Sequence, residues 1–189
     1  QGMSNNPFQG AYVGAGLGFT GVNFNAQAGT DTGKVGDNGI AGQVLAGYNY
    51  GIDSNWLVGV QAYFAGNNAS MSGNATVDKT AVVFNLKMKQ SYGLDVLAGY
   101  ALNQTNMLYA GLGVMRGKLT ATLNGTSSSS KTHSGYRGIV GAQQALADSV
   151  SLRESLAYGR FSQWGSSDVG TLKVSQYTST ISLLYTFNV

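Results

Sequence analysis

The sequence predicts an all-β chain folded as an antiparallel, eight-stranded, up-and-down transmembrane β-barrel. Three observations carry this reading: side chains alternate in character residue by residue, charge is scarce while glycine abounds, and the connections alternate between short and long. The chain has 189 residues with 28 glycines, one proline and no cysteine. Glycine thus makes up about 15% of the chain against a usual ~7%. Only 10% of residues are charged while 43% are apolar, and a soluble domain carries about 25% charge. The apolar share is too high for a disordered chain, and no Gly-X-Y period supports a collagen helix. The length suits one domain, taken as residues 1–189 with a short N-terminal lead at 1–8.

The strands follow in order. Residues 11–19 read AYVGAGLGF, with Ala11, Val13, Ala15, Leu17 and Phe19 on one parity and Tyr12, Gly14, Gly16 and Gly18 on the other. A period of two marks a strand with unlike faces. The same dyad recurs at Ile40 to Tyr50, Trp56 to Phe64, Tyr92 to Tyr100 and Leu108 to Val114. Three more strands are read at Gly138 to Leu146, Leu152 to Tyr158 and Tyr177 to Phe187. Helices fit badly, because a glycine inside a helix costs about 1 kcal/mol and here it recurs at every second position. On one face of a strand it instead leaves room for a neighbour's larger side chain. No apolar run exceeds about four residues, as in 81–84, whereas a membrane-spanning helix needs ~18 or more.

Short connections near 51–55, 103–106 and 147–149 alternate with long polar ones near 21–39, 66–85, 117–131 and 161–175. Transmembrane barrels have this asymmetry, with short turns at one rim and long external loops at the other. The NGTSSSSK stretch of the third loop is low in complexity and is expected to be mobile. The outward parity is Val, Leu, Ile, Ala and Phe, with Tyr48, Tyr50, Trp56, Tyr100, Tyr158, Tyr185 and Phe187 assigned to an aromatic girdle at the short-turn end. The other parity carries Tyr12 and a polar cluster of Gln43, Gln61, Tyr63, Lys87, Lys89, Asp95, Arg137, Gln143 and Arg153, assigned to the lumen. A soluble, lipocalin-like barrel would turn the apolar parity inward. Its outer face would then need many charges, where this chain supplies glycines.

The absence of cysteine removes disulfides, thiolate catalysis and zinc–thiolate sites. The start, QGMSNNPFQG, has no basic segment followed by an apolar one, so the exported chain is expected to lack its signal peptide already. A net charge of +3 comes from scattered Lys and Arg without a cluster beyond Lys87-x-Lys89, which argues against nucleic acid.

AYVGAGLGF, the run from IAGQVLAGYNYG into NWLVGVQAYFAG, GAQQALADSVSLRESLAYGRF and the terminal ISLLYTF together resemble the OmpA-type and opacity-type outer-membrane β-barrel proteins. The resemblance spans nearly the whole chain in order. It implies an eight-stranded barrel in the outer membrane of a Gram-negative bacterium, monomeric, with variable external loops that contact host surfaces and with no enzymatic activity. Two departures stand out. Family barrels end on an aromatic residue read by the assembly machinery, but Asn188 and Val189 follow Phe187, so either that signal is weakened or a longer chain was trimmed. Where the family places a small or apolar residue after a Leu-Arg pair and a lumenal carboxylate next, this chain has Glu154 and then Ser155. Parity points Glu154 outward. It then lies near the membrane interface, or a bulge turns it inward.

Chemistry candidates are few. Some outer-membrane barrels hydrolyse lipid A with a serine two residues from its histidine. Here Ser134 directly follows His133, adjacent strand residues point to opposite faces, and only Asp168 or Asp95 is available to orient the histidine. Asp31 and Asp37 flank Lys34 without an EF-hand pattern, and Gly14-x-Gly16 lies inside a strand with no nucleotide-binding context. No catalytic residue, metal or cofactor is therefore expected. The lumenal Lys87, Lys89, Arg137 and Arg153 against Asp95 leave three excess positive charges, read as part of a hydrogen-bonded filling or as the lining of a narrow anion-preferring path. Arg116, Lys118 and Arg160 have the outward parity near the external rim, where they suit lipopolysaccharide phosphates or stand solvated. Phe24, Lys131, Trp164 and Lys173 are candidate loop contacts. The leading function is a non-enzymatic outer-membrane barrel whose surface loops serve adhesion, host interaction or envelope support; the alternatives are a small-solute channel and a lipid A-modifying hydrolase.

Overall fold

A computed structural model describes residues 6–28, 31–67, 70–77, 80–123, 127–161 and 171–187. It contains nine strands: β1 (Gly10–Ala28), β2 (Asp31–Gly51), β3 (Trp56–Asn67), β4 (Ser70–Val77), β5 (Thr80–Ala101), β6 (Asn106–Leu123), β7 (Ser127–Ala145), β8 (Val150–Phe161) and β9 (Thr171–Phe187). Every pairing is antiparallel. Eight strands form a closed ring, because β1 pairs with both β2 and β9, and β3 pairs with β5. The ninth, β4, pairs with Thr80–Lys87 of β5 outside that ring.

The register can be followed around the whole ring. From Val13 the partners run through Ala46, Ala62, Leu94, Val114, Tyr136, Arg160 and Ser175, and return to β1 at Asn23, ten residues further along. A stagger of this kind requires tilted strands, at about 35–45° to the barrel axis. The tilt fixes which residues share a level, which sequence separation from a turn does not reveal.

The two faces divide as the alternation predicts. Leu17, Phe19 and Leu112 are 69%, 74% and 74% exposed, while inward Tyr12 and Leu184 are 2% and 1% exposed. A predominantly apolar outer face is stable against lipid and would be costly against water. Aromatic side chains form two outer girdles, not one. Tyr48, Tyr50, Trp56, Tyr100, Tyr185 and Phe187 ring the short-turn end, with Trp56 and Tyr100 in edge contact at 4.9 Å. Tyr158 was expected among them but lies at the opposite rim: its partner on β9 is Tyr177, 4.7 Å away, and Phe19, Tyr92 and Tyr136 join that upper girdle.

Where long loops were expected, the ladders continue. β1 and β2 stay paired from Gly21 and Asn38 to Ala28 and Asp31; β4 and β5 pair across the second region, and β6 and β7 from Gly117 and His133 to Leu123 and Ser127. Ser127–Lys131 of the stretch expected to be mobile is thus strand, and residues 124–126 lie outside the described residues. Of the fourth region, 171–175 pairs with β1 and 162–170 is outside the described residues. The reason is physical: beyond the membrane both faces of a hairpin meet water, so the unlike-face alternation disappears while backbone pairing persists.

Two of the three short turns are closed by side chains. The Asp53 carboxylate accepts from the backbone N–H of Asn55 (2.8 Å) and Trp56 (2.7 Å), and Asn103 does the same for Thr105 (2.9 Å) and Asn106 (2.8 Å). The bonds from Trp56 and Asn55 hold the Asp53 carboxyl below its ordinary range. Its contribution is therefore present above the unfolded-state value and fades as pH falls through the folded one.

The described end of the N-terminal lead, residues 6–8, is part of the barrel. Asn6 accepts from the Phe8 N–H (3.1 Å), Asn49 donates to the Phe8 carbonyl (3.0 Å), and the Phe8 ring, 2% exposed, packs with Leu57, Leu97, Met107, Tyr109 and Ile139. Gly10 makes the entry possible, with φ at +121° and no room for a Cβ, which would stand 2.8 Å from the Phe187 carbonyl oxygen. Phe8→Ala should lower unfolding stability by about 3–5 kcal/mol. Urea titration of the folded barrel in lipid vesicles, read by heat-dependent gel mobility, checks this; an unchanged midpoint would remove Phe8 from the core.

Candidate functional site

The lumen narrows to a polar belt between two apolar layers. Large inward side chains there lie directly across a ladder from glycine: Tyr12 from Gly47, Tyr63 from Gly93, Asp95 from Gly113, and Tyr109 from Gly141. A Cβ on Gly47 or Gly141 would come within 2.5 Å of the opposing phenol oxygen. Glycine spacing therefore decides where rings and charges fit inside an eight-stranded barrel.

The belt is one connected network spanning five strands. Arg137 on β7 forms a bidentate pair with Asp95 on β5, Nε to Oδ1 at 2.9 Å and Nη2 to Oδ2. Asp95 Oδ2 also accepts from Gln61 Nε2 on β3 (2.8 Å). Gln61 Oε1 in turn accepts from the Tyr12 hydroxyl (3.1 Å) and from Arg153 Nη1 on β8 (2.8 Å). Arg153 completes its donations to Gln143 Oε1, from Nη2 at 2.8 Å and Nε at 3.1 Å. The guanidinium of Arg137 stacks on Tyr63 at 3.6 Å, and that of Arg153 lies 4.9 Å from the Tyr12 ring and 4.8 Å from Tyr109. Among the described residues two arginines thus face one carboxylate, and the second is held by amide oxygens and ring faces instead of a counter-ion.

Above the belt Gln43 donates to Ser182 (3.3 Å), and Thr20 and Thr178 share a 3.3 Å hydrogen bond. A cavity of about 30 Å³ remains there, bounded by Thr20, Gln43, Tyr63, Ser91, Arg137 and Thr178. That is room for one or two waters. Val22, Met115, Phe161 and Val174 close the external side, and the Phe8 cluster closes the other.

Of the residues assigned to the lumen, the structure brings Gln61, Tyr63, Asp95, Arg137, Gln143 and Arg153 together, with Gln43 beside them. A register shift falls between Met88 and Gln90 in β5, so one parity does not run through it, and the side chains of Lys87 and Lys89 lie outside the described residues. Tyr109 and Phe8 were not singled out. Tyr109 shares the parity of Gly111 and Gly113, a usable signal, whereas nothing in the lead's sequence marks Phe8 as inward.

Arg116, Lys118 and Arg160 are outward and exposed, immediately beyond the upper girdle. Arg160 Nε donates to the Tyr158 hydroxyl (3.2 Å), and Arg116 sits between Tyr92 and Ser134 on the flanking strands. Lys173 is exposed on β9; the side chains of Phe24 and Lys131, and Trp164 altogether, lie outside the described residues. His133 pairs with Gly117 on the inward parity and Ser134 with Arg116 on the outward one, so they face opposite sides of β7. Asp95 is committed to Arg137 in the core, and Asp168 lies outside the described residues.

Glu154 departs from its expected place. No register shift occurs in β8, so it stays outward and exposed. It pairs with Ile181, which lies midway between Tyr177 of the upper girdle and Tyr185 of the lower one. Glu154 is therefore at mid-membrane depth, not at the interface: β8 starts beside lower-girdle Tyr185, the partner of Val150, and the four residues from Val150 to Glu154 already reach the middle of the belt.

A closed sheet with an apolar belt, two aromatic girdles and a polar filled interior defines a transmembrane β-barrel of the outer-membrane type. The chain belongs to the outer membrane protein beta-barrel domain family, which it matches over residues 1–187, and it is a bacterial outer-membrane protein. Among solved structures, Neisserial surface protein A is similar at 19% identity, with 94% of this chain and 97% of that one covered and a TM-score of 0.55. The outer membrane protease OmpT from Escherichia coli is similar at 10% identity, with 99% of each chain covered and a TM-score of 0.55. Ail, the attachment invasion locus protein of Yersinia pestis, matches at 15% identity over 93% of this chain and 99% of that one, with a TM-score of 0.49. No functionally curated protein sequence matches. At these identities the likeness is one of fold, and a fold shared by a protease and a surface protein does not assign an activity.

Removing Asp95 strands a buried guanidinium, so Asp95→Asn should destabilise the barrel by about 3–5 kcal/mol. Arg137→Met combined with Asp95→Leu should recover part of that loss. A double-mutant cycle on urea unfolding measures the coupling, and strict additivity of the two changes would deny the pair.

Proposed function

We propose that this protein is a non-enzymatic outer-membrane barrel whose projecting hairpins make surface contacts, serving adhesion to host molecules or support of the envelope. The observation that carries the reading is the continuation of paired strands beyond the upper girdle. Gly21 of β1 pairs with the girdle residue Tyr177, and seven more residues of β1, as far as Ala28, remain paired with β2. This gives a hairpin arm extending about 24 Å along the strand past that level. A paired arm presents side chains with less ordering cost than a free loop, which favours a recognition role. Phe24, Lys131, Trp164 and Lys173 are the contacts proposed on these arms and the fourth loop. The basic group Arg116, Lys118 and Arg160, next to the girdle, is proposed to meet lipopolysaccharide phosphates.

The filled belt and the small cavity above it favour this reading over a conducting pore. The opposed faces of His133 and Ser134 count against a lipid A hydrolase. In the test, residues 23–36 are replaced by a two-residue turn and cells carrying either form are compared for adhesion to epithelial monolayers and for detergent resistance. Loss of one property by tenfold or so with the barrel still folded is the expected result (about 1.4 kcal/mol). Unchanged adhesion and resistance together would overturn the proposal. In planar bilayers the wild type should give no steady current; an anion-preferring current reduced by Arg137→Ala would establish the channel instead.

A further inference from the structure

We propose that the lipid-facing surface of β7, β8 and β9 around Glu154 is a dimerisation face, and that the occupant is a second copy of this chain. This inference stands apart from the role of the hairpins.

Glu154 is a carboxylate in the middle of a hydrocarbon-facing belt. On β8 its outward neighbours are Leu152 and Leu156; across the ladders it meets Ala142 and Ile181. An ionisable group at this depth is costly in lipid and persists where it finds a polar partner. Among the described outward residues between the girdles no lysine, arginine or histidine lies on this chain to supply one. The nearest outward cation on the same strand is Arg160, six residues away beyond the girdle and bonded to Tyr158.

A second copy meets the requirement by geometry. All copies insert with the same orientation, so Glu154 lies at the same depth in each. A two-fold axis along the membrane normal then brings the two carboxyl groups to one level, where a protonated carboxyl can donate to its mate. The surroundings permit that approach. Val140, Ala142, Leu156, Ser179 and Ile181 border a shallow depression that contains Glu154. Gly138, Ala142 and Ser179 are small outward residues on the flanking strands, and small residues let membrane-embedded surfaces approach closely. The opposite wall, on β3, carries Val58, Val60, Ala62 and Phe64 and no ionisable group, so the face is particular to one side of the barrel.

The chain lacks cysteine, so a single introduced thiol reports position without background. Ala142→Cys beside Glu154 and Ala62→Cys on the far wall are refolded separately into lipid vesicles at high dilution and treated with a short bis-maleimide. Folding is verified by heat-dependent gel mobility. In parallel, copies labelled at Ser54→Cys in the first short turn report association by energy transfer. We expect Ala142→Cys, and not Ala62→Cys, to form a covalent dimer. Glu154→Leu should reduce both the dimer and the energy transfer about tenfold, while Glu154→Gln, which still donates and accepts a hydrogen bond, should retain most of both. Equal cross-linking on the two walls, energy transfer no greater than random mixing, or a folded Glu154→Leu that associates as well as wild type would each overturn the proposal.

Discussion

A bilayer offers no water to an unpaired peptide group, so a sheet can cross it only by pairing its last strand to its first. In this protein the requirement is met by the β3–β5 and β1–β9 ladders, with a stagger of ten residues between Val13 and Asn23. Once the ring closes, the other features follow. Tilt sets which residues share a membrane level. Alternation sets which face lipid and which the lumen. The small circumference limits what the lumen can hold.

That limit explains the glycines. Several bulky or charged groups of the belt take the space that a glycine on the next strand leaves free, as at Tyr12 and Gly47, Tyr63 and Gly93, and Asp95 and Gly113. Polar groups placed so closely must satisfy one another. Arg137, Asp95, Gln61, Arg153 and Gln143 do so in a single chain of hydrogen bonds, with tyrosine rings covering the guanidinium faces. A network of this kind braces the wall from inside, and the outer surfaces take no part in it.

Those outer surfaces are of two kinds. Beyond the upper girdle the strands continue as paired arms. Within the belt, among the described outward residues, Glu154 is the one that is ionisable. A barrel selected only to sit in lipid gains nothing from a carboxylate midway between its girdles, and the position makes physical sense when the wall has a neighbour.

The strand count of the ring, the inward and outward parities and the sparse charge that requires lipid were all legible in the amino-acid sequence. These depend on local period and composition, which a single chain displays directly. The levels came from the folded register: that Tyr158 belongs to the upper girdle, that Glu154 lies at mid-depth, and that Phe8 enters the lumen. Levels depend on the stagger summed over eight ladders, and no local pattern records that sum. The partners inside the belt were open for the same reason, since parity places Arg137 and Asp95 on one face but only the register brings their strands, two apart in the ring, to a common height. The paired arms were read as loops because a hairpin wetted on both faces loses the alternation by which strands are recognised.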